Sequence, residues 1–162
     1  MKTLYLLRHA KSSWSDASLS DFERPLNERG QKAAPLIGEL MRERVLKFDV
    51  VLCSPAVRAR ETARLALEAA EIDAEVHFEP RIYEASVGEL VEIVSEIDES
   101  VGAALLVGHN NALENLLAHL TGDARHMATA TLARISLPLE RWSEVHGARG
   151  TLDWFVRAKD LA

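Results

Sequence analysis

Short apolar runs alternate with longer amphipathic segments along the chain, and this alternation constrains its fold more than any other feature of the sequence. Apolar runs predict strands at residues 3–7, 49–53, 75–78 and 102–107. Apolar positions at helical spacing predict helices at residues 28–45, 54–70, 86–97 and from the turn 108–111 to 120–122. Strands that alternate with helices form a sheet with helices on both faces. We therefore predict an α/β fold, a three-layer α/β/α sandwich around a mostly parallel central sheet.

The last part of the chain departs from this alternation. Residues 131–137 and 151–156 have a weaker strand pattern and predict a hairpin, joined by a loop that contains Trp142 and His146. No repeat, low-complexity stretch or linker interrupts the 162 residues, a length that suits one domain. We predict a single domain over residues 1–162.

Composition argues against several classes of protein. The formal net charge is −6, the pI is about 5.5 and no basic run is present, so nucleic acid is not an expected partner. No segment resembles a membrane span or a signal peptide, and we predict a cytoplasmic protein without a membrane partner. The single Cys53 lies in an apolar strand, where we expect a buried, unreactive thiol. The sequence predicts neither a metal nor a cofactor.

Polar side chains follow three of the predicted strands. Arg8 and His9 follow the first strand, Arg58 lies on the helix after the second, and His109 follows the fourth. Ligands of parallel sheets bind beyond the carboxyl ends of the strands, so we expect these side chains to converge. Guanidinium groups match phosphate oxygens, and helix N-termini add backbone N–H donors. Together these features favour a site for a dianion such as phosphate.

An imidazole in such a site has the chemistry of a nucleophile. Neighbouring cations are expected to lower the pKa of His9 and keep the ring neutral, so that it accepts a phosphoryl group that water later removes. Each feature also has an ordinary structural explanation: Arg58 as a solvated helix charge, and His109 as a capping or buried residue. Their coincidence at the ends of three strands favours the phosphate site.

Four segments resemble, in the same order, the motifs of the histidine phosphatase superfamily. They are 7–14 (LRHAKSSW), 24–30 (RPLNERG), 53–63 (CSPAVRARETA) and 107–110 (VGHN). The first segment carries Ala10 where many members of the superfamily have Gly, and it is similar to the SixA-type phosphohistidine phosphatases. The resemblance extends from residue 3 to around residue 120. It implies a phosphoglycerate mutase-like (histidine phosphatase) fold.

The resemblance also implies roles for individual residues. His9 is expected to be the nucleophile, through Nε2, and Arg8, Arg58 and His109 to form the phosphate pocket around it. Ser12 lies three residues after His9, where many relatives carry Thr or Ser, and is expected to offer its hydroxyl to the phosphate. No metal takes part in this scheme.

The resemblance also implies a further phosphate-binding residue and a proton donor. Asn110 ends the last matching segment and is grouped with the phosphate-binding residues. Larger relatives use a Glu or Asp after the third strand as proton donor, which makes Glu84 the nearest candidate here and Glu79 a weaker one. The alternative for Glu84 is a surface carboxylate at the start of a helix.

The sequence does not identify a single proton donor, and this affects which substrate we expect. An alkoxide leaving group, with a conjugate-acid pKa of roughly 16, needs an acid. An imidazole, with a pKa of about 6.5, leaves with little help. The preferred hypothesis is therefore a phosphatase acting on a phosphohistidine-containing protein, such as a phosphorelay or phosphotransferase component. A general phosphatase of small phosphorylated metabolites is the second hypothesis, and a non-catalytic phosphoprotein-binding module is the third.

Overall fold

The computed structural model describes all 162 residues and consists of one six-stranded sheet with helices on both faces. The strands are β1 (Lys2–Arg8), β2 (Val50–Cys53), β3 (Val76–Phe78), β4 (Ala103–Gly108), β5 (Thr131–Leu137) and β6 (Thr151–Arg157). The helices are α1 (Glu28–Glu43), α2 (Val57–Ala70), α3 (Val87–Ser95) and α4 (Ala112–Thr121). This arrangement confirms the predicted α/β sandwich. None of the helices is long and apolar enough to cross a membrane.

The strand order across the sheet is β3-β2-β4-β1-β5-β6. The first four strands in that order are parallel, whereas β5 is antiparallel to both of its neighbours. The late hairpin predicted from the sequence is therefore β5–β6, which extends the parallel sheet at one edge. The sheet is mostly parallel, as the alternation of strands and helices predicts.

Side chains along the central strands point alternately to the two faces of the sheet, and this divides the apolar core into two halves. In β1, Leu4 and Leu6 pack into a cluster with α3 and α4, while Tyr5 and Leu7 pack into a second cluster with α1 and α2. Both faces of β1 are thus buried, which explains its continuous apolar sequence. Trp142, from the segment between β5 and β6, lies fully buried in the first cluster and donates its indole N–H to the carbonyl of Val101.

Element boundaries differ from the sequence predictions by one to three residues at several ends, and helix α2 begins at Val57 and not at residue 54. Helix α1 ends at Glu43 and not at residue 45, because Val45 has a φ of 55° that no helix accommodates. The loop of residues 10–25 contains a short 3-10 turn at Asp21–Glu23 that the apolar pattern does not indicate. As predicted, Cys53 is buried, and burial raises the pKa of its thiol to about 12.

The topology brings three strand ends together. Strand β4 lies between β1 and β2, and all three run in the same direction. Arg8, the last residue of β1, is paired with Gly108, the last residue of β4. The residues that follow β1, β2 and β4 therefore meet at one edge of the sheet, where the sequence predicts the phosphate site.

Candidate active site

His9 lies directly after β1 and is 7% exposed. Its backbone N–H donates to the carbonyl of Gly108 over 3.1 Å, which ties the residue to the end of β4. Its Nδ1 lies 2.7 Å from the carbonyl oxygen of Ala10. A carbonyl oxygen only accepts hydrogen bonds, so the ring proton is on Nδ1 and the lone pair is on Nε2. The backbone thus selects the tautomer that suits a nucleophilic Nε2.

The surroundings of His9 keep its ring neutral. Burial is the largest influence and, with His109, Arg58 and Arg8 nearby, lowers the pKa of His9 to about 3, although the hydrogen bond to Ala10 opposes the change. The sequence points to the neighbouring cations as the cause, whereas burial is the greater one. At neutral pH the ring is therefore uncharged.

His109 lies in the turn between β4 and α4, with its ring centre 5.2 Å from that of His9. Its Nε2 is hydrogen-bonded to the hydroxyl of Ser54, 2.8 Å away, and the same hydroxyl accepts the backbone N–H of Ala56. Burial, followed by Arg58, lowers the pKa of His109 to about 4. The Ser54 oxygen has two lone pairs, so the hydrogen bond to Nε2 has two possible directions; when the Ser54 O–H donates, the ring proton of His109 is on Nδ1.

The two predicted arginines flank the histidines, and the protein holds each of them from one side. Arg8 donates from Nη1 to the carbonyl of Met127 over 2.9 Å. Arg58 donates to the carbonyl of Asp21 over 2.7 Å and to its carboxylate over 3.0 Å. A guanidinium carries five N–H donors, so most of those on Arg8 and several on Arg58 stay uncommitted.

Buried polar atoms without a hydrogen-bond partner concentrate at this site. The protein has six such side-chain atoms, and four of them belong to predicted site residues. The four are Arg8 Nε, Arg58 Nε, His109 Nδ1 and Asn110 Oδ1. Buried donors are nearly always paired in folded proteins, so a cluster of unpaired ones indicates a place where a ligand completes the pairing. The two arginine Nε atoms are donors, and His109 Nδ1 is a third when Ser54 donates to Nε2, which suits an anion.

Asp21, which was not among the predicted site residues, organises one side of the site. Its carboxylate accepts from Arg58, from the hydroxyl of Tyr83 over 2.7 Å and from Arg24 over 3.2 Å. These donors, with the Tyr83 hydroxyl the strongest, lower the pKa of Asp21 to about 2. Asp21 is therefore ionised at neutral pH. Nothing in the sequence marks it, because it lies in an irregular loop.

A hydrogen bond between Arg24 and Ser12 was also not predicted. Arg24 is 8% exposed and donates to the Ser12 hydroxyl over 2.8 Å. Its guanidinium also stacks on the ring of Trp14, with 3.4 Å between the guanidinium carbon and the ring centre. Arg24 opens the second of the four motif segments, which was the available signal for its importance.

The remaining predicted residues lie at the margin of the site. Asn110 donates from its amide nitrogen to Glu114 over 2.7 Å and to the carbonyl of Met127 over 2.8 Å, so both of its amide hydrogens are engaged. Glu84 is exposed and left-handed in backbone conformation, with a φ of 59°. It directly follows Tyr83, whose ring centre is 5.7 Å from that of His109. The weaker candidate, Glu79, is paired with Arg81.

Comparison with known proteins agrees with this geometry. The family model of the histidine phosphatase superfamily (branch 1) matches residues 4–105, a range that includes His9, Arg58, strands β2 and β3 and most of β1. The chain belongs to the histidine phosphatase superfamily. It is also 38% identical over 119 residues to the uncharacterized protein Rv1276c of Mycobacterium tuberculosis, with 72% of each chain covered.

Solved structures place the chain near one branch of the superfamily. A candidate phosphohistidine phosphatase SixA from Nakamurella multipartitia superposes with a TM-score of 0.85 at 27% identity, covering 96% of this chain and 95% of the other. Its counterpart from Agrobacterium tumefaciens gives a TM-score of 0.83 at 28% identity, covering 96% and 97%. The phosphoglycerate mutase-like fold and the resemblance to SixA-type proteins are thereby confirmed.

The two buried histidines make stability depend on pH. Both pKa values lie below the value of about 6.5 that an unfolded histidine has. Below pH ~6.5 the unfolded chain binds more protons than the folded one, so we expect stability to fall as the pH drops from there towards 4, by up to ~1.4 kcal/mol per pH unit for each histidine. Urea denaturation across this range measures the slope. The exposed His77 gives a control, because His77→Gln should leave the slope unchanged whereas His9→Gln reduces it.

Proposed function

We propose that this protein is a phosphatase that hydrolyses phosphohistidine on a protein substrate through a covalent phosphohistidine on His9. The observation that carries the proposal is the cluster of two arginines and two histidines around His9, in which buried nitrogen atoms of Arg8, Arg58 and His109 have no hydrogen-bond partner in the protein. We further propose that residues 1–162 form one domain with this activity in the cytoplasm.

In the first step the lone pair on His9 Nε2 attacks the phosphorus atom. A new N–P bond forms while the N–P bond to the substrate ring breaks, and that ring, which carries a proton on its other nitrogen, leaves as neutral imidazole. Arg8, Arg58 and the Nδ1–H of His109 bind the equatorial oxygens of the transferred group and stabilise the charge on them. Ser12 adds its hydroxyl, held by Arg24.

In the second step a water molecule attacks the phosphorus of phosphorylated His9. The N–P bond breaks, inorganic phosphate leaves, and His9 returns to its neutral state. The hydrogen bond from Nδ1 to Ala10 keeps the ring in the same orientation through both steps. Ser54 acts as a positioning residue, because its hydroxyl fixes the ring proton of His109 on Nδ1.

The choice of phosphohistidine over an ester rests on the acids near the site. Asp21 is ionised and occupied by three donors, so it has no proton to give at neutral pH. Glu84 is exposed and makes no side-chain hydrogen bond that would aim it at a leaving group. An alkoxide needs a proton to leave, whereas an imidazole with a pKa of about 6.5 does not need a dedicated donor. The SixA-type relatives support the same substrate class.

A small phosphorylated metabolite is the second candidate substrate. Glu84 favours it, because this residue directly follows Tyr83, whose ring centre is 5.7 Å from that of His109. In that case Glu84→Gln lowers ester hydrolysis and removes the fall in rate at higher pH that accompanies loss of the carboxyl proton. A binding module without turnover is the third candidate, and it predicts tight phosphate binding without phosphorylation of His9.

Turnover of two substrates tests the proposal. We expect the wild type to dephosphorylate a phosphohistidine-containing protein domain at least ~100-fold faster, in kcat/KM, than p-nitrophenyl phosphate or a phosphoserine peptide. We expect Glu84→Gln to leave the phosphohistidine reaction within about twofold, since imidazole leaves without an acid. We expect the rate in EDTA to equal the rate with added magnesium or zinc. Faster ester hydrolysis that depends on Glu84 would move the assignment to the metabolite phosphatase.

A further inference from the structure

A basic cleft lies beside the active site. The cavity is about 340 Å³ in volume and is lined by four cationic side chains from three parts of the chain: Lys11, Arg29, Lys32 and Lys159. Arg29 and Lys32 lie in the first turns of α1, Lys11 in the loop after β1, and Lys159 in the short turn after β6. The floor between them is mostly apolar and is formed by Ala33, Leu36, Ala128 and Ala158.

The cationic side chains of this cleft have no acidic side chain as a partner, and its lining also includes Ala162, the last residue of the sequence. None of the four cations forms an ion pair, although most other arginines do. No Asp or Glu side chain lines the cavity. The whole chain has a formal charge of −6, so the basic cleft is a local exception on an acidic protein. An acidic partner that the rest of the surface repels is attracted here.

The basic cleft shares a wall with the active site. Met127 accepts the hydrogen bond of Arg8, and the N–H of Ala130 donates to the carbonyls of Arg8 and His9. Between these two anchoring points, residues 128 and 129 line the basic cleft. Lys11 follows His9 by two residues. A polypeptide that places a phosphohistidine on His9 therefore passes its flanking residues close to these cations.

We propose that the basic cleft binds an acidic segment of the phosphohistidine protein, with Asp or Glu side chains on the cations and apolar parts on the floor. This inference rests on the proposed function. The side chains favour carboxylates of a protein over a second compact phosphate. All four cations are exposed, whereas the guanidinium of Arg58, in the phosphate pocket, is buried and held by hydrogen bonds. Flexible, solvated charges suit a spread of carboxylates along a chain.

Peptide binding tests this proposal without requiring turnover. Two fluorescent peptides of equal length would carry Glu or Gln at the same positions, and anisotropy would measure their affinity. We expect the wild type to bind the Glu peptide about tenfold more tightly at ~0.05 M NaCl, and the preference to shrink at ~0.5 M NaCl, where surface charges are screened. The double variant Lys32→Glu/Lys159→Glu should lose the preference. Its hydrolysis of p-nitrophenyl phosphate should stay within about threefold of wild type, which shows that it is folded.

Lys47→Glu is the matched control for Lys32→Glu. Lys47 is an exposed lysine without an ion pair, and it precedes β2, at the opposite end of the sheet from the site. The proposal is overturned if the wild type binds both peptides equally or if Lys47→Glu weakens binding as much as Lys32→Glu. Complete displacement of the Glu peptide by micromolar pyrophosphate would assign the basic cleft to a small polyanion instead.

The same peptides separate this proposal from the proposed function. With phosphohistidine at their centre, the Glu peptide should be hydrolysed with the higher kcat/KM by the wild type and with no advantage by the double variant. Preferential binding of the Glu peptide with hydrolysis of neither peptide would contradict the phosphohistidine phosphatase and leave the acidic docking site standing. Hydrolysis of both peptides at equal rates, with equal affinity, would contradict the acidic docking site and leave the phosphohistidine phosphatase standing.

Discussion

His9→Ala is expected to lower the turnover of a phosphohistidine protein by about 10⁴-fold or more, since removal of a nucleophile eliminates the covalent route. The protein should stay folded, because His9 follows β1 and does not belong to either apolar cluster. Because the buried ring of His9 resists protonation, the wild type loses stability when the pH falls below ~6.5. The variant lacks this ring and should lose less stability on acidification. Steady-state assays and urea denaturation measure these two effects.

Trapping of the intermediate makes this prediction sharper. Wild type quenched during turnover of a radiolabelled substrate should carry an acid-labile, base-stable phosphoryl group, and His9→Ala should carry none. His77→Ala provides the control, since His77 lies on the edge strand β3 and is about half exposed. Residual activity of His9→Ala within about tenfold of wild type, or roughly 1.4 kcal/mol in barrier height, would remove His9 from the role of nucleophile.

Most of the fold follows from local sequence patterns. The continuous apolar run in β1 and β4 indicates strands buried on both faces, and the structure places them at the centre of the sheet. What the pattern does not contain is the order of the strands, because pairing depends on contacts between distant segments. The end of α1 was also missed, since the left-handed conformation of Val45 breaks the helix without a glycine to announce it.

The site was predictable where its residues follow strands and unpredictable where they lie in loops. Arg8, His9 and His109 each come at or just after the carboxyl end of a strand, so the topology alone brings them together. Asp21 reaches Arg58 across a separation of 37 residues from an irregular loop, and no periodic pattern records such a contact. The tautomer of His9 likewise depends on one carbonyl oxygen, whose direction is a property of the folded backbone.

Arg58→Lys is expected to lower kcat/KM on the phosphohistidine protein by about 10²-fold, although the charge is retained. A lysine has one nitrogen and cannot hold Asp21 and a phosphate oxygen in the two-pronged geometry of a guanidinium. The apparent inhibition constant of inorganic phosphate should rise together with KM, since the same N–H groups bind the ground state. Arg60→Lys is the control, because Arg60 is exposed on the same helix α2 and forms no ion pair.

Asp21→Asn separates the charge of Arg58 from its position. The carboxylate of Asp21 is shared by Arg58, Arg24 and Tyr83, so its loss frees the guanidinium to move without removing it. If Asp21 acts as a positioning residue, the substitution raises KM by about tenfold and leaves the pH profile near neutrality unchanged, because the pKa of Asp21 is lowered to about 2. A general acid at this position would instead show a large fall in kcat and the loss of the alkaline limb that reports its protonated carboxyl group. Activity of Arg58→Lys within about threefold of wild type would show that charge alone suffices and that the fork of Arg58 is not needed.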